Sequence, residues 1–236
     1  SDVCSSDLGS HGLRNAIVTA FAHAGLPLNM ALEIDGLPLL MEAVMAGMGA
    51  TVQPWSAELP RLYDATVAST GETVRLRLGF RTVEIAGDRL LVNGERLVFH
   101  GMNRHETHPD RGRVFDEDWA RADLLLMKRF NVNAIRTSHY PPHPRLLDLA
   151  DELGLWVILE CDLETHGFEP GGWRDNPSDD PAWREAMLDR IERTVERDKN
   201  HPSIVLWSLG NESGTGQNLA AMASWVHGRD PDRPVH

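Results

Sequence analysis

DKNHPSIVLWSLGNES, residues 198–213, is the stretch whose reading decides the fold. Ser203 to Leu209 is a short apolar run rich in β-formers, preceded by the turn residues Asn200, His201 and Pro202. It breaks into Gly210, Asn211, Glu212, Ser213 and Gly214, too polar and too flexible to continue a strand. A strand apolar on both faces that ends in Asn-Glu fits a parallel β/α barrel, where catalytic residues sit at the C-terminal mouth. Glu212 alone could equally be an ordinary loop carboxylate; its neighbours decide the matter.

Working outward, the residues from Leu97 onward repeat a strand–helix pattern. Leu97 to Met102 predicts a strand ending in Asn103, Arg104, His105 and Glu106. Asp116 is placed to cap a helix whose buried stripe is expected at Trp119, Leu126 and Phe130, flanked by Ala122 and Met127. Asn133 to Thr137 is the next strand, and Pro144 opens a helix that Gly154 stops. Leu155 to Leu159 leads into Glu160 and on to Glu164 and His166. Asp180 and Pro181 start a long helix with Met187, Ile191 and Val195 on its inner face. Gln217 begins a fourth helix, and a fifth strand is expected to start at Arg233 to His236. Four β/α units make half a barrel.

The text before this is different. Residues 1–10 carry no periodicity, and SDVCSSDL resembles a translated sequencing adapter, so they are set aside. Residues 11–53 read α-β-α-β: helices over 13–23 and 37–46, and strands over 30–35 and 51–53. From Pro54 the pattern turns antiparallel. One hairpin is expected over residues 62–80 around Ser69, Thr70 and Gly71, and a second over residues 81–92 around Gly87 and Asp88. This change of pattern predicts a join near Gln53 to Ala57. The missing initiator Met suggests a fragment.

Composition narrows the class. With 42% hydrophobic and 25% charged residues, the chain is globular rather than disordered. A net charge of −12 argues against a nucleic-acid surface. Cys4 and Cys161 are far apart, giving neither a disulfide framework nor a metal-binding cysteine pair, and a cytoplasmic, reducing setting is expected. The longest apolar region, Leu37 to Val52, is too short and broken to span a bilayer.

Every expected barrel strand ends in polar, titratable residues: Asn103 and His105, Arg136 and His139, Glu164 and His166, Asn211 and Glu212. All four pairs on one rim is what an active site at the C-terminal face requires. Glu164 and His166 are two apart, so an extended segment would point both to one side. With Glu212 they offer two carboxylates and an imidazole, a hard-leaning set suited to Mg²⁺ or Mn²⁺.

NAIRTSHYP at 133–141, with Asp151 and Gly154 after it, and DKNHPSIVLWSLGNE at 198–212 resemble the two signatures of glycoside hydrolase family 2. NRHETHP at 103–109, ETHG at 164–167 and GNES at 210–213 are similar to the large β-galactosidases of that family. β-Glucuronidases typically end the strand that precedes Glu212 here in Ala-Asn-Glu-Pro and lack the Glu-Thr-His pair. The resemblance covers roughly Trp55 to His236 and implies the first half of a (β/α)₈ TIM barrel. Before the barrel it implies the end of an immunoglobulin-like β-sandwich over 54–90, with the barrel itself over 91–236. It implies Glu212 as general acid/base and as a magnesium contact, with Glu164 and His166 the other Mg²⁺ ligands. His105 and His139 would contact the sugar and stabilise the transition state. Asn211 would hydrogen-bond the 2-hydroxyl, and Asn103 would join it in binding substrate. The family also uses Na⁺, whose ligands are not identifiable in this sequence, and its second carboxylate, the nucleophile, belongs on a seventh strand.

One departure stands out: Leu159 precedes Glu160 where such enzymes commonly carry an acid. The resulting expectation is a β-galactosidase fragment acting on a β-galactoside such as lactose, without nucleic-acid or membrane partners, its full-length form a homo-oligomer. Residues 11–53 resemble part of the effector-binding domain of LysR-type transcription regulators. That leaves a regulator fragment as a different reading, beside another family 2 glycosidase such as a β-glucuronidase and a catalytically dead sugar-binding scaffold.

Overall fold

The computed structural model describes residues 52–68 and 73–236. The readings made for residues 1–51, the regulator-like segment included, and for the turn at Ser69 to Gly71 lie outside the described residues; Val52 and Gln53 are in no strand.

The core of the fold is a four-stranded sheet of Gly101–Arg104 (β6), Ala134–Thr137 (β7), Trp156–Glu160 (β8) and Ile204–Ser208 (β9). The strands lie side by side in that order, with every neighbouring pair parallel. Each is followed by a helix: α1 (Glu117–Arg129), α2 (Pro144–Leu153), α3 (Arg184–Asp198) and α4 (Gln217–Arg229). The chain then returns to the sheet, where Val235 pairs in parallel with Trp207 as the expected fifth strand begins.

Alternation along these strands sorts the side chains, with an irregularity between Val157 and Ile158 that brings Ile204 and Trp207 of β9 to one face. Ile135, Val157, Leu159, Ile204 and Trp207 join the buried cluster under the helices, together with Met187, Ile191 and Val195 of α3. Arg136, Glu160 and Ser208 converge on the opposite face, the interior of the barrel arc. Leu159 is therefore a core residue, and the carboxylate that serves the interior at this level is Glu160.

Local signals set the helix ends. Asp116 accepts from the Trp119 amide as N-cap of α1, and acids lead the first turn while Lys128 and Arg129 close the last. Pro144 starts α2, and Gly154 ends it in the left-handed region at φ 76°. A Cβ on Gly154 would lie 2.2 Å from the Ala57 carbonyl oxygen, so two constraints coincide on that residue. Asp180 caps a short 3₁₀ turn, Pro181–Trp183, so α3 begins later than its Pro signal suggests.

Two expectations need correction. The first barrel strand is Gly101–Arg104, because Leu97 to His100 are held otherwise: Asn133 accepts from the His100 amide and donates to the Val98 carbonyl. The buried stripe of α1 is also different. It docks through Ala120 and Leu124 with Met127 beside them, while Trp119, Leu126 and Phe130 are 44%, 51% and 76% exposed. A small residue lets the helix approach the sheet closely, and Trp119 packs instead on His108, ring centroids 4.8 Å apart.

Ahead of the barrel come a two-stranded hairpin, β1 (Tyr63–Ala68) with β2 (Thr73–Leu78), and a meander, β3 (Val83–Ala86), β4 (Arg89–Val92) and β5 (Glu95–Arg96). A division after residue 90 would run through β4. Among the described residues, the buried side chains of the meander pack on the barrel, and the β1–β2 hairpin contributes none to that cluster. Val83 and Val92 of the meander pack with Trp55, Trp156, Ala134 and Val205 at the N-terminal end of the parallel strands. The Trp55 and Trp156 rings meet edge-on, 5.0 Å apart.

Asp151, near the end of α2, ties this base together. Its carboxylate accepts from the Ser203 amide at 3.0 Å and meets His201 Nδ1 at 2.6 Å, while its carbonyl accepts from Trp55 Nε1 at 2.9 Å. Burial works to lower the His201 pKa, but the Asp151 hydrogen bond and the nearby Asp198 and Asp148 charges outweigh it, and the net shift is upward. A raised folded-state pKa gives stability that is full below the unfolded histidine value of about 6.5 and is lost as pH rises through the folded value. The thermal midpoint is therefore expected to fall as pH rises above the unfolded histidine value of about 6.5, and His201→Gln to flatten that slope in a pH series of melts. Trp55→Ala is expected to cost about 3–5 kcal/mol in urea unfolding, since it empties a fully buried site and leaves the Asp151 carbonyl unpaired.

Candidate active site

The parallel strands deliver their carboxyl ends to one rim, and the residues singled out from the sequence gather there in two groups. The first is centred on Glu160, which is 0% exposed. Its Oε2 accepts from Arg136 Nε at 2.7 Å and from Ser208 Oγ at 2.6 Å; its Oε1 lies 2.6 Å from His139 Nδ1. Thr137 Oγ1 accepts from the Glu160 amide at 2.9 Å, fastening β8 to β7. His105 lies edge-on to His139 with ring centroids 5.3 Å apart, and Asn103 stands level with Arg136 in the register of β6 and β7.

The second group lies where the chain runs beyond β8 and β9. Glu164 and Asn211 pair in parallel, with the Asn211 amide donating to the Leu163 carbonyl at 2.8 Å. The Asn211 side chain joins the two groups: Oδ1 accepts from Arg136 Nη2 at 2.8 Å, and Nδ2 donates to Glu164 Oε1 at 3.2 Å. Glu212 then turns into the left-handed region at φ 43°, a conformation costly for a residue with a long side chain. Its neighbours hold it there. Ser213 Oγ donates to the Asn211 carbonyl at 2.9 Å, and Asn176 donates to the Ser213 carbonyl at 2.9 Å. Gly210 and Gly214 allow the close approach: a Cβ on the first would sit 2.5 Å from the Leu163 oxygen, on the second 2.9 Å from the Trp173 ring.

The Glu212 carboxylate is left on the surface, side chain 58% exposed, 3.3 Å from His166 Nδ1. His166 begins a 3₁₀ helix, His166–Gly171, and is also 3.3 Å from Glu169. The extended alternation expected for Glu164 and His166 therefore fails at Thr165. As donors, two carboxylates and an imidazole suit a hard divalent cation, and His166 already adjoins Glu212. Glu164 is turned to Asn211, and no group of three His, Cys, Asp or Glu among the described residues converges as a metal site.

Sequence reasoning missed Glu160 as the organiser of the rim, along with Ser208 and His236, whose Nδ1 is 3.2 Å from Ser208 Oγ. A signal was present: an acid on the interior-facing position of the apolar strand WVILE. A second concavity, about 840 Å³, lies away from the rim between the β1–β2 hairpin and α2. Its charges are largely matched with one another, as in Arg77–Glu152 at 3.0 Å and Arg145–Asp148 at 3.2 Å, so it is read as a gap between elements.

Comparison with known proteins agrees with this layout. The family model for the glycosyl hydrolases family 2 TIM barrel domain matches residues 83–236. A β-galactosidase of Arthrobacter sp. (strain B7) is 76% identical over 185 residues, covering 78% of this chain and 18% of that protein. One from Pectobacterium atrosepticum is 50% identical over 188 residues, covering 77% of this chain and 18% of that protein. The chain thus spans about a fifth of the curated relatives that it matches. Among solved structures, a Faecalibacterium prausnitzii β-glucuronidase aligns with TM-score 0.68 at 32% identity over 79% of this chain and 32% of that one. A β-galacturonidase from Eisenbergiella tayi bound to galacturonate aligns with TM-score 0.67 at 31% identity over 78% of this chain and 33% of that one.

Gly210→Ala tests the account of the Glu212 turn. The added methyl meets the Leu163 carbonyl, which is backbone and has little room to yield, and stability is expected to drop by about 1–3 kcal/mol in urea unfolding.

Proposed function

The chain belongs to family 2 of the glycosyl hydrolases, and on that footing we propose that it carries the acid/base side of a β-galactosidase active site. The observation that carries this reading is the 76% identity to the Arthrobacter enzyme over 185 residues; the rim geometry is consistent with it. The substrate is a terminal β-galactoside such as lactose.

In this reading Glu212 is the proton donor. A retaining glycosidase protonates the leaving oxygen with one carboxyl group, and the same group then takes a proton from the water that releases the sugar. The exposed carboxylate on the turn after β9 can reach an incoming glycosidic oxygen without unpacking the core. His139, its Nδ1 committed to Glu160, presents Nε2 toward the sugar, and His105 stands beside it. Asn103 and Asn211 hold hydroxyls, Asn211 with its amide oriented by Arg136 and Glu164. The nucleophile must lie about 5–5.5 Å from the donor across the anomeric carbon. Glu160 is enclosed by its own donors and is not free to take that role; the resemblance to family 2 assigns the nucleophile to a seventh barrel strand. Glu164, His166 and Glu212 would hold Mg²⁺. When bound, that charge favours the ionised form of a carboxyl group beside it.

Solved structures that align include uronidases, which keeps a uronic-acid substrate as the second reading. A cytoplasmic setting and a homo-oligomeric full-length form complete the proposal. The regulator-like reading of residues 11–53 rests on sequence pattern alone. Trp55 and Ala57 are built into the base of the barrel, so a join, if there is one, falls before Trp55.

A complete enzyme carrying this sequence is expected to hydrolyse a chromogenic β-galactoside and to ignore the matching β-glucuronide; the reverse preference would overturn the galactoside reading. Glu212→Gln should lower kcat by roughly 10²–10⁴-fold. For the cation, Glu164→Gln should raise the Mg²⁺ concentration needed for half-maximal activity more than His166→Ala does, because it removes the charge a hard ion prefers. Full activity in excess chelator would remove the metal from the proposal.

A further inference from the structure

We infer that Glu160 is a positioning residue that sets the tautomer of His139 and the orientations of Arg136 and Asn211. The inference rests on the proposed glycosidase site for its consequence in turnover, and on geometry alone for its structural part.

An ionised carboxylate only accepts hydrogen bonds. Glu160 takes Arg136 Nε and Ser208 Oγ on Oε2 and His139 Nδ1 on Oε1, with contacts of 2.6 to 2.7 Å, as short as charge-assisted bonds become. The Nδ1 of His139 must therefore carry a proton, which leaves Nε2 as the nitrogen available to a ligand. Ser208 has one hydroxyl proton, and Glu160 receives it. His236 Nδ1, 3.2 Å from the same oxygen, must then donate. Two imidazole tautomers follow from one buried acid.

Arg136 carries the effect further. With its Nε and Nη2 on Glu160, Nη2 also reaches Asn211 Oδ1 at 2.8 Å. That contact requires the amide oxygen of Asn211 to face Arg136, so its nitrogen faces Glu164. A side chain with no solvent exposure thus fixes the hydrogen-bonding sense of three groups on the rim. Enclosure by three protein groups is also what keeps it from acting as nucleophile.

Glutamine is the informative replacement, since it keeps the shape and turns one acceptor into a donor. In ¹⁵N-histidine spectra of the chain at neutral pH, His139 is expected as the Nδ1–H tautomer. Glu160→Gln should shift its population toward Nε2–H, and Glu160→Asp should keep the original form in part. In the complete enzyme, Glu160→Gln should lower kcat by roughly 10–100-fold, with a smaller change in KM and an altered pH profile. A wild-type His139 in the Nε2–H form would overturn the inference without any variant, as would a folded Glu160→Gln protein with unchanged tautomer and kcat. A tautomer shift in a protein without galactosidase activity would uphold the positioning role and reject the substrate reading.

Discussion

Parallel pairing imposes one constraint on which everything else depends: all strands must point their carboxyl ends the same way. Antiparallel neighbours would scatter the same residues between two ends of the sheet. Because β6 to β9 run in one direction, the residues following each strand meet on a single rim, although they come from positions as distant as 103 and 212. The connecting helices exist in large part to make that direction possible. Their buried faces are fitted to it: Ala120 and Leu124 on α1, Leu146 and Leu147 on α2, Met187 and Ile191 on α3.

The two ends of the sheet have divided labour. At the N-terminal end, Trp55, the meander and the Asp151 contacts make a dry, well-packed base. At the C-terminal end polar contacts line the interior of the arc, and buried charge is tolerated where its donors surround it, as at Glu160. Glu212 sits at the other extreme, exposed and on a strained backbone that Ser213, Asn176 and two glycines hold in place. Replacing one of the Glu160 donors would strand a charge in the interior, whereas trimming the Glu212 side chain would disturb little beyond chemistry.

Much of this was legible from residues alone, for identifiable reasons. α2 has Pro144 at its start and Gly154 at its end, and its limits were read correctly because both signals are steric and local. The α3 face was likewise readable, since Met187, Ile191 and Val195 recur with helical period. The α1 stripe was not: Trp119, Leu126 and Phe130 outweigh Ala120 in any hydrophobic count, yet closeness of approach favours the small residue. Glu160 escaped for a similar reason, because its role is fixed by four partners from two other segments, residues 136–139 and Ser208, none adjacent to it in sequence. The Glu164–His166 geometry depended on a backbone turn at Thr165 that carries no residue signature.

The order of the sheet has a last consequence, for synthesis. Strands β6, β7, β8 and β9 lie side by side in the order in which they are made, and residues 234–236 continue on the outer edge of β9. Each strand leaving the ribosome finds its partner finished and waiting, one connecting helix behind. No strand must be inserted between two already paired, and none waits for a neighbour still to be translated. Such an arc can grow vectorially, its exposed margin advancing with the nascent chain, so the interval in which an unpaired edge is open to a wrong partner is the time needed to translate a single β/α unit.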